Sequence, residues 1–274
     1  MAIWSTSRQS LNSNNTDQYE VVMLADKDGN LINTFGAASN IPIAAGEVVG
    51  FKNVHKFGMI DGSSGTSYTT VWSPGDTAST INYPWTIAPN TLSVVSTSAD
   101  DTNGDVGAWE IKVEGLDTDY NEVEETFVLN GTTETAEGSV IFHRVYRAYV
   151  TEGNTNVGNI EVKNGTDLVA RIDAEMGQTL MCTYTIPAGK TGYLTRLGAS
   201  SSKNISTNLS LFQRPFGKAF VRTASSMSLY QNSKVVIFDV PLPFPEKTDL
   251  DLRQQGSANN TISADFNIIL VDNT

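Results

Sequence analysis

The sequence predicts an all-β fold: an antiparallel β-sandwich, jelly-roll-like, preceded by a small β-rich N-terminal segment. Three observations carry that expectation. Only 18% of the residues are charged, and Ser, Thr, Asn and Gly fill the gap. That composition suits strands joined by turns, because β-branched Thr fits a pleated surface while Asn and Gly accept turn geometries. Apolar residues also alternate with polar ones at period two through most of the chain after residue 71. Finally, turn signals recur roughly every 8–12 residues, the rhythm of a sandwich or barrel.

The elements follow in order. Residues 1–18 are polar and lack periodicity, and read as an arm. YEVVMLADKDGNLINTFG (19–36) reads as strand, DG turn, strand. A second short unit spans IPIAAGEVVGFKNVHKFG (41–58), and the Gly/Ser-rich stretch 58–70 marks a boundary. Two units are therefore expected, 1–57 and 58–274. In the second, Leu92 and Val94 alternate with polar neighbours, and Trp109, Ile111 and Val113 share an inward face. Val123, Glu125, Phe127 and Leu129 form another face. Further strands are expected over 139–150, 158–164, 167–173, 179–199, 207–223, 226–240 and 263–272. Three prolines make PLPFPEKTDL (241–250) an extended loop.

Charge narrows the function classes. The formal net charge is −12 and no Lys/Arg cluster offsets it, so neither nucleic acid nor an anionic membrane is an expected partner. One cysteine, Cys182, excludes an intrachain disulfide and is expected as a buried thiol on a face shared with Leu180, Tyr184 and Ile186. The first residues lack an apolar leader region, and no run approaches the roughly 20 apolar residues of a membrane span.

Catalytic and metal signals are sparse. His55 and His143 stand apart without ligand spacing, and no G-x-S-x-G, Walker A or G-x-G-x-x-G pattern occurs. Neither an enzyme nor a cofactor is expected. The acid run GLDTDYNEVEET (115–126) places Asp117, Asp119 and Asn121 at the opening spacing of a calcium loop. Positions six and twelve, however, hold Glu122 and Val128 where an EF-hand needs Gly and Glu. Similar partial patterns start at Asp26 and Asp101, which points to turn chemistry in all three. Glu125 shares a face with Val123 and Phe127, so it calls for a partner such as an arginine. Tyr68, Trp72, Tyr83 and Trp85 have two readings: a stacking platform for sugar rings, or large side chains that pin a loop to the core. Their lack of strand-face spacing favours the second.

Five segments in order carry a resemblance: TLSVVSTSADDT, VEGLDTDYNEVEETFVLNGTT, FHRVYRAYV, IPAGKTGYLTRLGAS and QRPFGKAFV. Across roughly 55–222 the chain resembles a family of virion structural proteins of tailed bacteriophages, especially marine and cyanobacterial ones. The resemblance implies a particle component without enzymatic activity, assembled in the bacterial host cytoplasm. The expected role is a head decoration or cement protein that binds the major capsid protein or other virion proteins and self-associates, as a trimer. The N-terminal segment would be its docking unit, with Val21, Val22, Leu24, Leu31, Ile32, Val48, Val49 and Phe51 as interface residues. The alternative is a tail, neck or fibre component that binds host-surface glycans through Tyr68, Trp72, Tyr83 and Trp85. A polysaccharide hydrolase ranks last, since only anonymous carboxylates support it.

Overall fold

The computed structural model describes residues 5–8, 20–23, 40–63, 67–76, 82–204, 206–256 and 260–273. The chain divides into two compact units, Met1–Lys52 and Asn53–Thr274. In the first, β1 (Ser5–Arg8) pairs antiparallel with β2 (Glu20–Met23), so that Thr6 lies opposite Val22 and Ser7 opposite Val21. The partner of β2 thus comes from the polar lead-in expected to be an unstructured arm. Leu24, Leu31 and Ile32 lie outside the described residues. The run NIPIA, expected as part of a β unit, instead forms α1 (Asn40–Ala44). Pro42 is tolerated there because the first turn of a helix leaves its N–H groups without intrahelical partners.

β3 (Phe51–Ser63) starts with the last two residues of the first unit, continues into the second and runs through the boundary expected at residue 58. One sheet has the order β15 (Ser233–Phe244), β12 (Lys190–Ser201), β17 (Asn260–Asp272), β3. The facing sheet has β11 (Thr183–Thr185), β16 (Asp249–Gly256), β13 (Thr207–Arg214) and β14 (Val221–Leu229), with β4 (Thr69–Thr70) also on β16. Along the chain these strands cross repeatedly from one sheet to the other, the winding of a jelly roll. Leu194 and Leu197 from β12, Leu209 and Leu211 from β13, Leu250 and Leu252 from β16, and Phe266 and Ile268 from β17 fill the space between the sheets.

One strand of this jelly roll is broken in two. Thr69 and Thr70 lie opposite Gln254 and Arg253 of β16, and Thr183–Thr185 continue along the same edge opposite Asp251–Asp249. At the join, Val71 N donates to Leu252 O at 2.8 Å and Cys182 N to Val71 O at 2.9 Å. Residues 72–181 are therefore an insertion into the middle of a strand. Gly58 of β3 faces the join: a Cβ there would sit 2.7 Å from both Cys182 N and Val71 O, so only glycine allows this approach.

The insertion is a second, smaller sandwich. It contains β5 (Ser93–Ser96), β6 (Ala108–Leu116), β7 (Glu122–Val128), β8 (Arg144–Gly153), β9 (Ile160–Asn164) and β10 (Asp167–Ile172). They form two three-stranded antiparallel sheets, β10-β9-β5 and β7-β6-β8. Its core is separate from that of the jelly roll and richer in aromatics, with Trp72, Tyr83, Trp85, Phe127 and Phe142 around Leu92, Ile111 and Ile160.

Several strand expectations change. The stretch 179–199 divides into β11 and β12 on opposite sheets, 207–223 into β13 and the start of β14, and 226–240 spans the turn between β14 and β15. Residues 241–244 are not loop but the end of β15, with Pro243 opposite Tyr193. Because β15 is an edge strand, a proline there costs no ladder bond on its open side. β16, absent from the sequence reading, is a central strand of its sheet.

Candidate functional site

The outer face of β16 carries Asp249, Asp251 and Arg253, while Leu250 and Leu252 point into the core. Three charges on one strand face would ordinarily meet solvent. Here Asp249 and Asp251 are buried, because the insertion covers that face. Arg144 of β8 reaches across with its Nε 3.0 Å from Asp249 Oδ1. Arg214 of β13 completes the pair at 2.5 Å from Oδ2, and Thr185 donates to Oδ1 at 2.6 Å. Trp85 donates its indole N–H to Asp251 Oδ2 at 2.7 Å, and Arg253 Nε lies 2.8 Å from the same oxygen. Burial pushes the Asp251 carboxyl up, against the opposing pull of Arg253, Trp85 and Thr70. Tyr83 adds a neutral link, accepting from Val145 N at 3.0 Å and donating to Val145 O at 2.9 Å. Both carboxylates are committed to arginines, so the seam clamps the two sandwiches together.

Lys56 forms a second tie. It is buried in β3, donates to the Tyr146 carbonyl of β8 and lies 5.7 Å from the centroid of the Tyr146 ring. Burial lowers its pKa to about 8.

The aromatic candidates separate cleanly. Trp72, Tyr83 and Trp85 are buried and stack edge-on, Trp72 to Tyr83 at 5.5 Å and Tyr83 to Trp85 at 4.5 Å. A sugar platform requires an exposed Trp72 or Trp85, and neither is exposed. Tyr68 is half-buried beneath the guanidinium of Arg222, at 4.9 Å.

The acid run resolves into turn chemistry. Asp117 accepts from the backbone N–H groups of Asp119 and Asn121 at 2.9 and 2.8 Å. Glu125 takes backbone donors rather than an arginine: Ser139 N at 2.6 Å and Val140 N at 3.3 Å, with Ser139 Oγ at 2.9 Å. Asp101 is fully buried and accepts from Ala108 N, Val157 N and Gly158 N at 3.0, 2.8 and 2.9 Å. It thereby ties the loops of the insertion to one another. The third partial pattern, from Asp26 to Asn30, lies outside the described residues. Among the described residues no group of three His, Cys, Asp or Glu side chains is placed to hold a metal ion, and no helix is long and apolar enough to cross a membrane. His143 packs edge-on to Tyr120, and burial, with Arg144 beside it, lowers its pKa to about 4. Cys182 is buried, and burial pushes its thiol up.

Among the N-terminal interface candidates, Val21 and Val22 lie in β2. Val49 is 95% exposed and Phe51 39%, while Val48 is half-buried. Other exposed apolar residues lie together on a strand of the second unit. On the edge strand β15, Val235 is 54%, Ile237 73% and Val240 80% exposed. By sequence these residues fall in the strand expected over 226–240. Its available signal is the apolar run VVIFDVPLPF, interrupted by Asp239 and carrying two prolines, which suits an edge strand.

No protein-family model matches the chain, and no curated protein is similar to it. Among solved structures, the infectious bursal disease virus Gx strain particle aligns with 82% of this chain and 76% of its own at 8% identity, with a TM-score of 0.19. The Gt strain of the same virus aligns with 81% and 72% at 10% identity, with a TM-score of 0.18. A VP2 subviral particle of that virus covers 81% and 70% at 10% identity, also at 0.18.

Proposed function

We propose that this chain is a non-enzymatic structural protein of a virion, a head decoration protein of a tailed bacteriophage that binds the capsid lattice and stabilises it. The observation that carries the reading is the apolar strip of β15. An edge strand with Val235, Ile237 and Val240 open to solvent is costly for an isolated protein and suits one that spends its life against a neighbour. The jelly roll supports the reading, being an architecture common in capsid proteins although it hosts other functions too. The resemblance of residues 55–222 to phage virion proteins points the same way. The separate N-terminal unit, with Val49 and Phe51 exposed, supplies a second contact.

The test is the copy number and position of the protein on intact particles, by quantitative mass spectrometry and antibody labelling. Hundreds of copies spread over the head are expected. A handful at one vertex would move the protein to the tail or neck and overturn the decoration role. A variant lacking residues 1–50, which leaves β3 whole, should bind particles more weakly than the full chain.

A further inference from the structure

The β15-β12-β17-β3 sheet carries a groove of about 500 Å³, within the roughly 300–1,000 Å³ typical of small-molecule sites. The pairing register builds its floor from small side chains. Ser200 of β12 lies opposite Ser233 of β15 on one side and Ser263 of β17 on the other. Directly opposed residues point to the same face, so three hydroxyls line up at the spacing of neighbouring strands, about 4.8 Å. None of these hydroxyls has a hydrogen-bond partner among the described residues, and Ser233 and Ser263 are exposed. The next row along the sheet is Val235, Gly198 and Asp265. A Cβ on Gly198 would sit 2.4 Å from Asp265 Oδ1 and 3.0 Å from Arg196 Nη2, so glycine leaves room for the ion pair of Arg196 with Asp265 over β12. The pair uses Asp265 Oδ2, and His55 Nε2 lies 3.9 Å from the same oxygen. Oδ1 accepts no hydrogen bond among the described residues. Phe57 of β3, edge-on to His55 at 5.7 Å, lines the groove and supplies an aromatic wall.

This combination selects a ligand class. Arg196 and Asp265 balance one another, so their pair offers no net charge to hold an ion. Lys234 lies opposite Ala199, a core residue, so its side chain leaves β15 on the other face. What stays open is a row of hydroxyls, which both donate and accept, one carboxylate acceptor and an apolar ring. A neutral sugar matches all three, because its hydroxyls take both roles and the C–H face of its ring packs on an aromatic side chain. We propose that this groove binds a neutral pyranose, with its hydroxyls paired to Ser200, Ser233, Ser263 and Asp265 Oδ1 and one ring face against Phe57. The buried Trp72 and Trp85 take no part. The inference does not rest on the virion role, since every group it uses belongs to one copy of the chain.

Saturation-transfer NMR on the purified full-length protein tests it with the methyl glycosides of glucose, galactose and mannose. Glucuronate and glucosamine serve as charged comparators. At least one neutral glycoside should receive saturation, and titration should show it bound more tightly than either charged sugar. Ser200→Leu puts a branched side chain where the middle hydroxyl stands and should weaken that binding about tenfold or more, with an unchanged melting temperature as the fold control. Should that variant lose its fold, Ser263→Leu, at an exposed position of β17, probes the same row and should weaken binding likewise. Absence of saturation transfer to all three neutral glycosides overturns the proposal. So does tighter binding of a charged sugar, which would make the groove an ion site, and so does unchanged binding in a folded Ser200→Leu or Ser263→Leu.

Discussion

The outer surface over β16 and the outer edge at β15 belong to the same jelly roll and reverse the usual rule. The first carries Asp249, Asp251 and Arg253 and is covered by the insertion; the second carries Val235, Ile237 and Val240 and is open. Charges are buried where the chain supplies its own partners, since Arg144 and Arg214 compensate Asp249 at the cost of desolvating all three. Apolar residues stay exposed where it supplies none. The difference teaches that the polar surface is an internal joint already complete in one copy, whereas the apolar edge is open to solvent and is the surface that the proposed particle contact would use.

The joint should break most visibly. Asp249→Ala leaves Arg144 buried without its carboxylate, and removing one partner of a buried pair typically costs about 3–5 kcal/mol. Urea unfolding should show that loss, and an unchanged midpoint would mean that the seam does not clamp the two sandwiches. Asp101→Ala is expected to cost slightly less, about 3 kcal/mol. It strips a charge-assisted acceptor from Ala108 N, Val157 N and Gly158 N, all within the insertion. Proteolysis limited to residues 72–181 should follow, and uniform digestion of the whole chain would contradict a role confined to the insertion.

Lys56 sharpens the comparison through pH. Unfolded, it keeps its proton up to about pH 10.5, while in the fold it releases it near 8. Between those values the unfolded chain binds more protons, so stability rises with pH; below about 8 both states are protonated and this contribution is flat. The buried ammonium therefore destabilises the protein at neutral pH by its desolvation. Thermal melts from pH 7 to 9.5 should show the rise in the native protein and lose it in Lys56→Met; the same rise in the variant would place its origin elsewhere. The smallest effect on stability is expected at the open edge. Ile237→Lys and Val240→Lys should change unfolding by no more than about 0.5 kcal/mol, as for other exposed positions, yet abolish binding to particles. A large loss of stability would show that β15 serves the fold rather than a partner.

Much of the architecture was legible because local physics writes it. The alternation of Ile111 and Val113, or of Val123 and Phe127, marks strands with one wet face. The same logic hid β16. In DLDLRQQ the alternation is regular, but its polar face is charged and follows a proline cluster, so it reads as loop until Arg144 and Arg214 are seen beside it. Glu125 was legible as a misfit, but its answer was not, because the N–H groups of Ser139 and Val140 carry no sequence signature. Trp72, Tyr83 and Trp85 could be sugar contacts or core until their burial decided for the core.

The sequence by itself determined the all-β class, the buried lone thiol of Cys182 and the turn chemistry of the acid run at 115–126. Each of these follows from residues close together in the chain. Only the tertiary structure decided that residues 72–181 interrupt a single strand, that Asp249 and Asp251 lie at a joint, and that β15 remains open. Those facts depend on pairings such as Asp249 with Arg144, whose partners lie far apart in sequence and meet only after the sheets have closed.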